Sequence, residues 1–352
     1  MMERRCKVCV TGGAGYIGSL LVKKLLEKGY TVHATLRNLK DESKVSFLRG
    51  FPHANTRLVL FEADIYKPDD FGTAIQGCEF VFHVATPYLH QTDSQFRSIE
   101  EAAIAGVKSV AATCIKSRTV RRLIYTGTVV AASPLKDDGS GYKDFIDKTC
   151  WTPLQSLHLP LTDFHKGYVA SKTLAERELL RSYGNDENGS GGFEVVSLVV
   201  GVVGGETPLS YLPGSVAVIT SQLQDNEALY QSLKFLEDIC GKIPIVHIDD
   251  VCEAHIFCAE LPSINGRFLV VNSCASLSEI GNYYSQNYPE FKLKEKYLEG
   301  QNRGIKWDSN KLIDNGFVYK YDLKMILDDN IRCLRRVGDH SMCLVSILED
   351  LK

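Results

Sequence analysis

Long apolar runs are missing from this chain of 352 residues. No stretch approaches the ~20 residues that a membrane-spanning helix needs, so membrane insertion is not expected. A dominant charge of one sign is missing too. The chain carries 40 Lys and Arg against 43 Asp and Glu, a net charge of −3, which does not point to nucleic acid or an anionic membrane surface as a partner. The basic cluster at 116–122 reads as a solvated helix end before a strand. Metal-ligand spacings are absent, with neither HExxH nor a paired CxxC, so no metal is expected. The eleven cysteines are an odd number and are scattered rather than set in a framework, which points to reduced thiols. Cys6 and Cys9 have a redox-like spacing, but residues three apart in a strand point to opposite faces. The first strand is expected almost at Met1, which leaves no room for a leader peptide. A cytoplasmic protein is therefore expected. No internal repeat is visible.

What is present begins at once. Val8-Cys9-Val10-Thr11-Gly12-Gly13-Ala14-Gly15-Tyr16-Ile17-Gly18 reads as a short apolar strand, a glycine-rich turn and a helix. In this pattern Gly12 permits the tight bend, Gly15 lets backbone approach a pyrophosphate, and Gly18 lets helix and strand pack closely. The unpaired N–H groups at the helix start would face the anion. Bare GxxGxxG spacing is weak evidence in a chain with 28 glycines; the strand-to-helix context makes it strong.

The rest alternates strand and helix. Strands are expected at 31–36, 58–62, 80–84, 123–126 and 195–200. Helices are expected near 40–49 and 69–76, over 99–117 and over 168–183. That order predicts an α/β fold, a Rossmann-type doubly wound parallel sheet covered by helices on both faces. Ligands on such a sheet sit beyond the carboxyl ends of the strands, where Thr11–Gly18, Arg37, Asp64, Ala85 and Thr128 fall. Residues 1–200 should form the dinucleotide-binding domain, with 243–260 returning to it. Residues 201–352 should be mainly a smaller substrate lobe. The polar, glycine-rich stretch 185–192 reads as a surface loop.

Residue types then narrow the chemistry. An NAD-specific fold places Asp or Glu after the second strand to bond the ribose hydroxyls, but here the strand exits through Arg37. A guanidinium can grip a 2′-phosphate bidentately, and Lys44 could add a second charge, so NADPH/NADP+ is the expected cofactor. YxxxK occurs three times, at Tyr168/Lys172, Tyr230/Lys234 and Tyr288/Lys292. Only Tyr168 lies between the fifth and sixth strands, where residues four apart share a helix face. A neighbouring ammonium favours phenolate and lowers a pKa that starts near about 10, which makes Tyr168 a usable proton donor. His247 with Asp249 and Asp250 has the composition of a metal or acid pair.

TGGAGYIG, Thr126-Gly127-Thr128 and YVASKTLAE together resemble an extended short-chain dehydrogenase/reductase. FVFHVATP, HIDDVCEAHIF, NGRF and SNKLIDNGF narrow the resemblance to plant reductases. That group includes anthocyanidin, dihydroflavonol, cinnamoyl-CoA and vestitone reductases, and the chain is most similar to the anthocyanidin-reductase-like members. The resemblance implies an NADPH-dependent reductase of a carbonyl or conjugated group in a plant specialised metabolite, flavonoid-like or another phenolic or alkaloid ketone. It implies Thr128, Tyr168 and Lys172 as the catalytic set. It implies cofactor contacts from Thr11, Gly12, Gly15, Tyr16, Ile17, Gly18, Arg37, Lys44, Asp64, Ile65, Val84, Ala85, Thr86, Tyr168, Lys172, Val199 and Val202. Tyr88, Ser133 and His165 are the substrate candidates, with His90 and His158 as further pocket residues, and His247–Asp250 becomes a packing element in which Asp249 or Asp250 caps a helix. The expected partner is a small-molecule substrate, and the expected assembly a monomer or homodimer. Departures from the group are Thr128 where relatives carry serine, Val199-Val200 where they carry Pro-Thr, and Ser133 where dihydroflavonol reductases carry asparagine. The tryptophan motif of cinnamoyl-CoA reductases is absent before Tyr168. Two other readings stay open: a nucleotide-sugar epimerase or dehydratase of the same fold, and a non-catalytic NADP-binding module.

Overall fold

Parallel strand pairing organises the computed structural model, which describes residues 6–87, 94–157, 159, 161–184, 193–300 and 303–338. In chain order the strands are β1 Lys7–Thr11, β2 Thr31–Leu36, β3 Leu58–Glu62, β4 Phe80–His83, β5 Arg122–Thr128, β6 Phe145–Ile146, β7 Glu194–Val200, β8 Val202–Gly204, β9 Ile243–His247, β10 Gly266–Val270, β11 Ser273–Ala275 and β12 Lys306–Trp307. Seven of them form one sheet in the order β10-β7-β5-β4-β1-β2-β3. β1 pairs in parallel with both β2 and β4, β2 with β3, and β4 with β5. β4 is buried throughout and β1 along all but its first residue, as a sheet covered on both faces requires. The fold is the expected Rossmann-type α/β arrangement.

The described chain forms two compact units. The first holds residues up to Gly127, Ala170–Leu198 and Cys252–Phe268. Its interior includes Cys9, Phe71, Val81, Val107, Leu123 and Leu179. The second holds Thr128–Val169, Val199–Val251 and the described residues from Leu269 on. It contains a three-stranded sheet in the order β11-β9-β8 and the parallel pair β12–β6. Residues 128–169 thus group with the second unit, where Val129, Val130 and Ile146 pack with Phe235 and Ile239. The return to the first unit begins at Cys252 rather than 243, because β9 pairs with β8 and β11. From Cys252 on, Glu253 pairs with Lys24 and Lys28, and Glu260 accepts the Tyr30 hydroxyl.

Helix limits follow local chemistry. The helix Ile99–Ser117 starts where the Ser98 hydroxyl accepts Glu101 N, and ends at left-handed Arg118. The helix expected from Tyr168 starts earlier and spans Asp163–Tyr183. Thr162 precedes it and its hydroxyl accepts His165 N at 3.2 Å, an N-terminal cap. Tyr168 therefore lies in the second turn rather than at the start.

Arg122 ties the first unit together at the end of the sheet where β5 begins. It is 1% exposed. Its guanidinium pairs with Glu194 and donates to the carbonyls of Cys258, Ala259, Leu261 and Pro262. These carbonyls terminate the helix Ile248–Glu260, where a cation is favoured. Arg122→Met removes one partner of a buried pair and orphans those carbonyls. Because Glu194 keeps partial access to water, the expected loss is at the lower end of the usual range, about 3 kcal/mol, read as a fall in the denaturant midpoint.

Candidate active site

The glycine turn is shaped by close approach. Gly12 has φ +69°, and a Cβ there would lie 3.1 Å from Ala85 Cα. A Cβ on Gly18 would run into the Gly12 carbonyl. A Cβ on Gly13 would stand 2.8 Å from Ala34 Cβ, so a third steric requirement falls on a glycine the motif does not assign. Gly15 is exposed, and its Cβ would meet only Gly12 O, at 3.4 Å. Gly12 N donates to Thr35 Oγ1 and Gly13 N to Thr35 O, fixing the turn on β2. The helix that follows, Tyr16–Glu27, has no side-chain cap and no acid in its first turn. Such an end suits an anion, and these residues fit a dinucleotide's pyrophosphate.

Thr11 closes the turn against the next loop. Its hydroxyl accepts Val84 N and Ala85 N, each at 3.0 Å, and lies 2.9 Å from His83 Nδ1. Burial, reinforced by the Lys172 charge, pushes the His83 imidazole down to about 3, so it is neutral at working pH. Arg37 stands exposed just after β2. Lys44 is engaged with Asp41 at 2.8 Å, in a first helical turn where Asp41 also caps Lys44 N. Asp64 follows β3, and its carboxylate accepts Tyr66 N at 3.1 Å. Ile65 packs its side chain into the core and against Gly106, which leaves only its backbone to meet a ligand.

Lys172 occupies the interior of the first unit, 5% exposed. Its Nζ donates to Thr126 O at 2.9 Å and to Thr86 Oγ1 at 3.5 Å. It lies 4.6 Å from the centre of the Tyr125 ring, within cation–π range. Burial lowers its pKa from 10.5 to about 8, against an opposing pull from Glu176. Glu176 is fully buried, bound to Arg267 Nε at 2.9 Å and to the Ser197 hydroxyl at 2.6 Å. Tyr168, Lys172 and Glu176 succeed one another at four-residue intervals, so one helix face carries all three. Sequence reasoning gave no role to Arg267, Ser197 or Thr35; the signals present were Glu176 in YVASKTLAE and Arg267 in NGRF.

Thr128 is the last residue of β5, two beyond the carbonyl that Lys172 holds. In the second unit, Tyr168 stacks with Phe164 at 6.3 Å. His165 is 8% exposed, stacked on Phe235 at 4.3 Å and paired with the Thr162 hydroxyl. Ser133 is fully buried and donates its proton to Ile239 O at 2.5 Å while accepting Leu135 N. Its hydroxyl is thus engaged with backbone on both its donor and acceptor sides. Val199 and Val202 are buried as well. Tyr88, His90, His158 and the loop 185–192 lie outside the described residues. His247 stacks on Tyr321 at 3.6 Å, accepts Asp249 N and reaches Asp329. Asp250 accepts the amides of Lys320 and Tyr321 rather than capping its own helix. Tyr288 donates to Asp328. Among the described residues no helix is long and apolar enough to cross a membrane.

A family model described as "NAD dependent epimerase/dehydratase family" matches residues 8–272. A putative anthocyanidin reductase of Ginkgo biloba is 35% identical over 332 residues, 94% of this chain and 95% of the relative. Vestitone reductase of Medicago sativa is 33% identical over 344 residues, 96% and 99% of the two chains. The crystal structure of vestitone reductase from alfalfa matches with a TM-score of 0.76 at 31% identity, covering 94% of this chain and 99% of that one. Yeast methylglyoxal/isovaleraldehyde reductase, complexed with NADPH, has the same fold, with a TM-score of 0.75 at 21% identity over 94% and 99% of the chains.

The depressed pKa of Lys172 has a measurable consequence. Between pH 8 and 10.5 the unfolded chain binds a proton that the folded chain has released, so stability from this group rises with pH there. Unfolding of wild type and Lys172→Met, without ligand, should show wild type gaining on the variant from pH 8 to pH 10. A difference independent of pH would contradict a depressed pKa.

Proposed function

Since the chain belongs to the NAD dependent epimerase/dehydratase family, we propose that it is an NADPH-dependent reductase of a carbonyl or conjugated group in a phenolic, flavonoid-like metabolite. The observation that carries this reading is the buried Lys172 ammonium one helical turn from Tyr168, in a unit that also holds the glycine turn. The named reductions of its relatives, of anthocyanidin, dihydroflavonol and vestitone, support the substrate class. The NADPH of the yeast neighbour and the exposed Arg37 after β2 support the cofactor. An epimerase or dehydratase that retains NAD would be served by an acid where Arg37 stands.

NADPH, when bound, supplies the hydride. The glycine turn and the start of its helix would hold the pyrophosphate, and Arg37 the 2′-phosphate. Tyr168 gives its phenolic proton to the substrate atom that gains the electron pair. Lys172, as a cation, stabilises the phenolate left behind. Thr128 donates a hydrogen bond to the substrate oxygen, as a serine would, with a methyl that fixes χ1 and narrows the approach.

Tyr168→Phe removes only the phenolic group. Assayed with NADPH and a panel of anthocyanidins, dihydroflavonols and isoflavanones, it should lose about 10²–10⁴-fold in turnover and keep NADPH affinity. Tyr230→Phe and Tyr288→Phe should leave turnover nearly unchanged. A fully active Tyr168→Phe enzyme would reject the assignment. Thr128→Val should cost about 10²–10³-fold in kcat while Thr128→Ser keeps most activity; a valine variant equal to wild type would make Thr128 a packing residue. In the third comparison, Arg37→Asp replaces an attraction with a repulsion. Titration should show NADPH binding weakened far more than NADH binding, and equal losses would contradict the 2′-phosphate role.

A further inference from the structure

His83 is a buried titratable group that the proposed chemistry does not use. It ends β4 opposite Thr11, the last residue of β1, the two being partners in the parallel register. A threonine hydroxyl has one proton and two lone pairs. Both lone pairs of Thr11 are taken by the amides of Val84 and Ala85, so its proton points at His83 Nδ1, 2.9 Å away. Nδ1 therefore accepts, and the ring proton sits on Nε2. The charged group facing His83 is Lys172, which opposes protonation of the ring; its aromatic neighbour is Tyr125, at 5.7 Å.

The two amides held in this way belong to the segment that leaves β4. Ala85 fills the space beside Gly12 that a Cβ would need, and the hydroxyl of Thr86 accepts from Lys172. Without an acceptor at Nδ1, the Thr11 hydroxyl must turn its proton elsewhere and surrender at least one of the amides.

We infer that His83 is a positioning residue: its neutral Nδ1 fixes the rotor of Thr11, which anchors the segment 84–86 between the glycine turn and Lys172 and so sets the affinity for the dinucleotide. The inference rests on the reading of the chain as an NADPH-binding enzyme, and it assigns no proton transfer to the ring. The segment is an element of binding, so its loss acts on cofactor affinity more than on the hydride step.

The test compares His83→Phe, which keeps a planar ring without an acceptor, with His83→Asn, which restores an amide oxygen near the position of Nδ1. NADPH is titrated by its own fluorescence, kcat and KM are measured with the reactive member of the substrate panel, and amide exchange is followed at Val84 and Ala85. One net hydrogen bond corresponds to about tenfold in binding. His83→Phe should raise the Kd and KM for NADPH by about tenfold with kcat changed much less, and should speed exchange at both amides. His83→Asn should recover most of each loss. Thr11→Val should reproduce the His83→Phe defect, and the double variant should be no worse than either single one, since both remove the same link. Wild-type affinity in His83→Phe, or an asparagine variant no better than phenylalanine, overturns the inference. If His83→Phe fails to fold, the comparison of His83→Asn with Thr11→Val decides it: near-wild-type affinity in the first and a weakened second support it, and equal defects overturn it. Failure of wild type to bind NADPH would defeat the functional reading instead, while exchange at Val84 and Ala85 still judges the role of His83.

Discussion

A positive charge placed inside the first unit is the constraint around which the candidate site is arranged. Among its described residues three cations are buried, and two of them have carboxylates: Arg122 with Glu194 and Arg267 with Glu176. Lys172 has none within ion-pairing distance among the described residues. It is held by a carbonyl, a hydroxyl and the face of a tyrosine. Neutral oxygens only partly repay the hydration an ammonium gives up, which is why its pKa falls to about 8. A lysine kept in that condition changes its charge near neutrality, as the proposed stabilisation of a phenolate would use.

Holding that charge requires two strand ends to be level. Thr126 lies in β5 and Thr86 follows β4, and the parallel register of these strands brings both oxygens to one ammonium. The β4 loop is in turn tied to β1 through Thr11, and β1 leads into the glycine turn. One chain of contacts therefore runs from the glycine turn to Lys172 within a single unit. The neutrality of His83 belongs to the same arrangement, since a second buried cation beside Lys172 would be costly.

Much of this was legible in the residues. The helix 99–117 takes the bounds expected for it, and the Ser98 cap that starts it is a local signal. The sheet strands from 31 to 200 are short apolar runs, and their ends were readable to within a residue or two. Thr162-Asp163 is also a local start signal, six residues before the motif tyrosine, and it sets the true start of that helix. What sequence could not disclose depends on partners distant in the chain. Gly13 is required because of Ala34, Ile65 is turned inward because of Gly106, and Ser133 is consumed by a carbonyl more than a hundred residues away. The return of 252–268 to the first unit likewise depends on Lys24, Lys28 and Tyr30, which carry no sequence mark of that pairing.

In the proposed reduction, hydride passes from NADPH to the substrate and a proton follows from the protein. The direct measurement uses NADPH deuterated at nicotinamide C4 on the transferred face, with the reactive member of the phenolic panel and mass analysis of the product. A reductase leaves one deuterium on product carbon for each NADPH oxidised. A product without deuterium, or turnover that consumes no NADPH because hydride returns to the substrate as in an epimerase, would rule out net reduction.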